Sequence, residues 1–132
     1  PITDSSLDMI ARHCHNLRVL DVSWCSMLTD EGFLSFVQRI RESSERQRTA
    51  HSSLLRPHMG GKRTDGSAPL AKEQIGMVLE ALHIVWCARL TDASLNYLAD
   101  VESLKTLHVS GCSRFTEVGL ENIRKKGVTV SS

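Results

Sequence analysis

Much that would announce a chemistry is scarce in these 132 residues. No apolar run approaches the roughly 18 to 20 residues needed to cross a bilayer, and the N-terminus lacks the basic-then-apolar pattern of a secretory signal. Membrane insertion and signal-driven export are disfavoured. There is no excess of one charge either. Sixteen Lys and Arg stand against fifteen Asp and Glu, leaving a net charge of +1 and no whole-chain attraction to nucleic acid or acidic lipid. The four cysteines, Cys14, Cys25, Cys87 and Cys112, are too few for a disulfide scaffold, and none forms a Cys-x-x-Cys pair. No Cys/His grouping has zinc-finger spacing, so no metal or cofactor is expected. A Gly-rich phosphate loop and a nucleophile elbow are also missing. The chain opens on Pro1 with a motif already under way at Ile2-Thr3-Asp4, which suggests a piece of a longer protein.

What is present is repetition. Leu17-Arg18-Val19-Leu20-Asp21-Val22-Ser23-Trp24-Cys25 aligns with Leu79-Glu80-Ala81-Leu82-His83-Ile84-Val85-Trp86-Cys87. Both align with Leu104-Lys105-Thr106-Leu107-His108-Val109-Ser110-Gly111-Cys112. All three fit L-x-x-L-x-[VI]-x-x-C. Each Cys is followed in phase by a second half: Leu28-Thr29-Asp30 then Phe33 and Phe36, Leu90-Thr91-Asp92 then Leu95 and Leu98, and Phe115-Thr116-Glu117 then Leu120 and Ile123. A half-copy, Ile2-Thr3-Asp4 then Leu7 and Ile10, opens the chain.

Two periodicities define the unit. In the first half Leu20 and Val22 alternate with Asp21 and Ser23, the period of a short strand with one buried face. In the second half apolar residues recur every three or four positions, as in Phe33, Phe36, Val37 and Ile40, the stripe of an amphipathic helix. Thr29, Thr91 and Thr116 stand where an N-cap belongs, and Asp30, Asp92 and Glu117 follow where a carboxylate favours the positive end of the helix dipole. One strand-turn-helix unit cannot bury its apolar stripe alone. The expected fold is therefore an α/β solenoid, with short parallel strands on a concave face and helices on the convex one.

These units resemble leucine-rich repeats of the cysteine-containing subtype, the kind found in F-box/leucine-rich-repeat proteins. The resemblance covers about residues 1–40 and 79–132. It implies the C-terminal, substrate-recognition repeats of an adaptor for a cullin-RING ubiquitin ligase. In such an adaptor the repeats hold a target protein, an F-box binds the ligase, and catalysis belongs to other subunits. The ligase contact would run through an F-box, which these residues do not contain.

One departure interrupts the pattern. Thr3 to Thr29 is 26 residues and Thr91 to Thr116 is 25, but Thr29 to Thr91 is 62, so about 36 residues are inserted. Residues 39–73 hold eight Lys or Arg against four Asp or Glu, so this stretch carries +4 and the remainder −3. With little apolar surface to offset its ordering entropy, the stretch from Glu42 to Ser67 is expected to be a mobile loop. Helical spacing at Leu70, Ile75, Val78 and Leu79 competes with strand register at Leu79, and the strand register is the stronger pattern. The chain thus divides into repeats at 1–41, a basic and largely disordered insertion at 42–78, and repeats with a closing edge at 79–132.

Candidate functional positions follow from the register. Leu20, Leu82 and Leu107 are expected in the core, and Cys25, Cys87 and Cys112 in a structural column, each thiol acting as a small hydrophobe with a weak donor. Reduced, unpaired cysteines fit a cytoplasmic or nuclear compartment. The partner-binding surface would comprise Val19, Asp21, Ser23 and Trp24 from the first unit, His83, Val85 and Trp86 with Ala81 from the second, and Thr106, His108 and Ser110 with Gly111 from the third. Trp24 and Trp86 either anchor an interface or cover the turn of the neighbouring unit. Asp21, His83 and His108 would be neighbours, but three variable outward positions of these types do not make a catalytic or metal site. The expectation is a non-enzymatic protein-interaction module. The alternatives are a nucleic-acid-binding protein using Arg46, Arg48, Lys62 and Arg63, or a leucine-rich-repeat scaffold without an F-box.

Overall fold

The computed structural model describes residues 2–54 and 77–132. Four helices and four strands alternate within them: α1 (Asp4–His13), β1 (Val19–Asp21), α2 (Asp30–Leu54), β2 (Ala81–Val85), α3 (Asp92–Leu98), β3 (Thr106–Ser110), α4 (Glu117–Lys125) and β4 (Thr129–Ser131). The strands form one parallel sheet in the order β1-β2-β3-β4. The helices pack in the same order, α1 on α2, α2 on α3 and α3 on α4. Each step along the chain therefore adds one strand beside the last strand and one helix beside the last helix.

The register follows the repeat. Leu20 faces Leu82, Leu82 faces Leu107, and Leu107 faces Val130. With a period of two, that register sends all four side chains to one side of the sheet, where the first three are buried. Val22, Ile84 and Val109 form a second buried row, and Phe33, Phe36, Leu95, Leu98 and Ile123 close over both from the helices. At about 25 cal/mol per Å2 of apolar surface, this shared core outweighs any single hydrogen bond in the structure.

Each helix begins where the sequence places a cap. Thr91 and Thr116 have extended backbone, and their hydroxyls accept the amides of Ala93 and Gly119. The acid after each Thr does more than meet its own helix dipole. Asp4 accepts the amide (2.9 Å) and hydroxyl (2.6 Å) of Thr29, and Asp30 accepts the same two groups of Thr91 at the same distances. Asp92 does so for Thr116. The caps at Thr29, Thr91 and Thr116 are thus each tied to the first turn of the preceding helix. The carboxylate lies where a side chain would stand two residues after the next acid. A Cβ on Gly32 would collide with Asp4 and one on Gly119 with Asp92, while Ser94 at the equivalent place donates to Asp30 (2.6 Å). The Asp8 ion pair with Arg39 is a further tie between α1 and α2.

The expected loop from Glu42 is corrected as far as Leu54, because α2 continues through it without a break. Residues 33–54 contain neither Gly nor Pro and are rich in Arg, Glu, Gln and Ser. Polar composition denies this stretch a core, but it does not stop propagation from a turn already nucleated by the packed segment from Phe33 to Ile40. At 1.5 Å per residue, the 25 residues of α2 extend about 37 Å. Residues 55–76 of the expected insertion, with Lys62 and Arg63, lie outside the described residues, while Met77 near its end is buried in the core. The last helix stops at Lys125, and Gly127 (φ 93°) turns the chain into β4.

Candidate protein-binding face

Among the described residues no helix covers the outer side of the sheet. Val19, Asp21, Thr106 and Thr129 are exposed, and Ala81, His83, Val85, His108 and Ser110 are partly so. The register aligns Asp21, His83, His108 and Ser131 in one row. The imidazoles of His83 and His108 lie 5.6 Å apart, tilted by 45°, and His108 Nδ1 is 2.8 Å from the Ser131 hydroxyl. Hydrogen bonds from the hydroxyl and amide of Ser23 hold the Asp21 carboxyl below its usual value, so it is ionised at neutral pH. The Ser23 hydroxyl also accepts the Val85 amide (3.2 Å), which fixes its orientation.

At the strand ends three equivalent turns carry one conformation. Trp24 (φ 66°), Trp86 (φ 60°) and Gly111 (φ 69°) are all left-handed. The tryptophan amides are claimed by the sheet, Trp24 donating to the Val85 carbonyl (2.6 Å) and Trp86 to that of Ser110 (2.7 Å). Glycine meets this geometry freely, whereas a bulky side chain meets it at a cost. The two indoles stack with centroids 5.5 Å apart and planes within 18°. A Cβ on Gly111 would come within 2.5 Å of the Trp86 ring, so the second indole rests directly on that glycine. Trp86 therefore covers its neighbour's turn, yet 53% of it is exposed, as is 71% of Trp24.

The cysteines sit just inside these turns. The Cys87 thiol donates to the Val22 carbonyl and the Cys112 thiol to the Ile84 carbonyl, both at 3.2 Å, so each reaches back to the preceding strand. Cys25 is next to the edge strand and turns to its own Ser23 carbonyl (3.5 Å). Burial pushes the Cys87 thiol up to about 11 and raises that of Cys25, which keeps both protonated at neutral pH. Among the described residues no three His, Cys, Asp or Glu are placed to hold a metal ion, and no helix is long and apolar enough to cross a membrane. Of the four cations considered for nucleic acid, only the Arg46 side chain is described, and it is exposed.

Residues 13–37, running from the end of α1 through β1 and the Trp24 turn into α2, match a family model. It is the leucine-rich repeat. No curated protein matches the chain. Leucine-rich repeats generally mediate protein-protein interaction and are typically non-enzymatic. The matched repeat contributes Leu20, Cys25, Asp21 and Trp24, and the units at β2 and β3 share its register.

Sequence reasoning missed two features of the repeats. The carboxylates of Asp4, Asp30 and Asp92 bond across repeats, and the signal was the small residue, Gly or Ser, always two positions later. The left-handed turn at both tryptophans was foreshadowed by Gly111 in the same register.

Proposed function

We propose that this chain is a protein-recognition module whose open sheet face and tryptophan edge hold a target polypeptide, the strands forming the concave wall of a solenoid. In this reading it serves as the substrate-recognition repeats of an F-box-type adaptor of a cullin-RING ubiquitin ligase, working in the cytoplasm or nucleus. The observation that supports target binding is the exposed indole pair, since stacked, half-open tryptophans beside partly buried polar side chains are the composition of an interface anchor. The L-x-x-L-x-[VI]-x-x-C pattern supports the adaptor role by its resemblance to F-box/leucine-rich-repeat proteins. The full-length parent protein, affinity-purified from cells, is expected to bring down a cullin together with a target. Alanine at both Trp24 and Trp86 should release the target and leave the cullin bound. Recovery of a target without any cullin would refute the adaptor role and retain protein recognition.

A further inference from the structure

The indole stack is closed at one end and open at the other. Trp86 is sandwiched between Trp24 and the Gly111 turn, so the large free ring face belongs to Trp24. Trp24 occupies a left-handed turn that Gly111 shows glycine can fill without strain, and a bulky residue at such a position points to a use for its side chain. Beside it is a carboxylate held by Ser23 and neighboured by His83, with no permanent cation opposite it. Among the outward positions of the four strands Asp21 alone is a carboxylate, and none is Lys or Arg. Among the described residues no Lys or Arg pairs with Asp21, whereas Glu80 at the strand starts pairs with both Arg18 and Lys105. Asp21 Oδ1 accepts the amide of Ser23 (2.9 Å), the residue that precedes Trp24, which places carboxylate and turn in one neighbourhood.

We propose that Trp24 and Asp21 form a seat for an arginine or lysine side chain of a protein partner, the cationic head lying on the free indole face with its charge met by the carboxylate. A cation over the face of tryptophan, the strongest of the aromatic rings for this contact, is attracted by the ring quadrupole, and a carboxylate alongside converts attraction into orientation. An arginine would extend the stack as a third planar layer. An acidic segment would meet the Asp21 charge without compensation, and a purely apolar one would bury that charge unpaired. This inference rests on the protein-recognition reading and narrows it to partners that present a basic residue.

The test is selection of a random-peptide display library against the full 132-residue chain, followed by calorimetry on one selected peptide. Enrichment of Arg or Lys is expected. The chosen peptide should lose at least tenfold in affinity when its basic residue becomes Gln, and likewise against Trp24→Gly and Asp21→Asn. Trp24→Gly keeps the turn conformation, and its circular dichroism should match that of the parent. Selected peptides without basic enrichment that still lose binding on Trp24→Gly would overturn the seat and leave protein recognition standing. Peptides indifferent to both variants, or no selectable binder at all, would count against both.

Discussion

Two ladders cross the repeats, one at the helix starts and one at the strand ends, and they obey different rules. At the helix starts the pattern Thr, acid, any residue, then Gly or Ser recurs in four copies, and in the last three a carboxylate from the preceding helix fills the space where a larger side chain would stand. At the strand ends the thiol-to-carbonyl contact is equally regular, but the residue before each Cys is Trp, Trp and then Gly, although all three turns are left-handed. The first ladder is uniform because Asp4, Asp30 and Asp92 each tie one helix to the next. The second is uniform in backbone and varied in side chain, the left-handed turn holding indole or glycine alike.

The comparison makes the helix-start ladder the more expensive to damage. Asp30→Ala strips acceptors from the Thr91 amide, the Thr91 hydroxyl and the fully buried Ser94 hydroxyl, and should cost about 3 kcal/mol in urea unfolding. A smaller loss than for Cys87→Ala would break the comparison. The same carboxylate predicts a pH response. Burial opposes its ionisation, but hydrogen bonds from Ser94 and Thr91 outweigh this and hold it below the ordinary 3.8. A depressed native pKa stabilises the fold above the ordinary value, and that contribution fades as pH falls through it toward the native value. The unfolding midpoint should therefore drop between about pH 5 and pH 3, and Asp30→Asn should flatten that drop. Next in size, Gly111→Ala introduces a Cβ against the Trp86 ring at a left-handed φ and should cost about 2 kcal/mol. A Gly111→Ala chain as stable as the parent would mean the indole does not rest there. Cys87→Ala, losing a buried sulfur and a weak donor, should cost about 1 kcal/mol. The smallest perturbation is chemical. Iodoacetamide at neutral pH should label exposed Cys14 and spare buried, protonated Cys87, as read by peptide mass spectrometry.

Most of the strand and helix plan was legible because it rests on two periodicities that three copies restate. Leu20, Leu82 and Leu107 fall opposite one another, and Thr29, Thr91 and Thr116 precede their helices. The length of α2 was not legible from burial arguments, since residues beyond Ile40 hold their helix through backbone propagation from a packed start and without an apolar stripe. At the candidate site the outward residues could be named from alternation alone, including Asp21, His83 and His108 in their row. Their chemistry was harder to read. A one-letter pattern records that Trp24 and Trp86 precede Cys, but their left-handed backbone and their stacking are three-dimensional facts that only Gly111 hinted at.

The pairing of β1 with β2 has a consequence for how such a protein can grow. Sixty-two positions separate Leu20 from Leu82, against 25 from Leu82 to Leu107, yet both pairs meet with no slip in alignment. Lengthening a closed excursion from about 25 to about 62 residues adds only about 1 kcal/mol of closure entropy, because the cost rises with the logarithm of length. A junction after a helix is thus a port at which a lineage, or an engineer, can splice in foreign sequence while the architecture on either side stays indifferent to what was added.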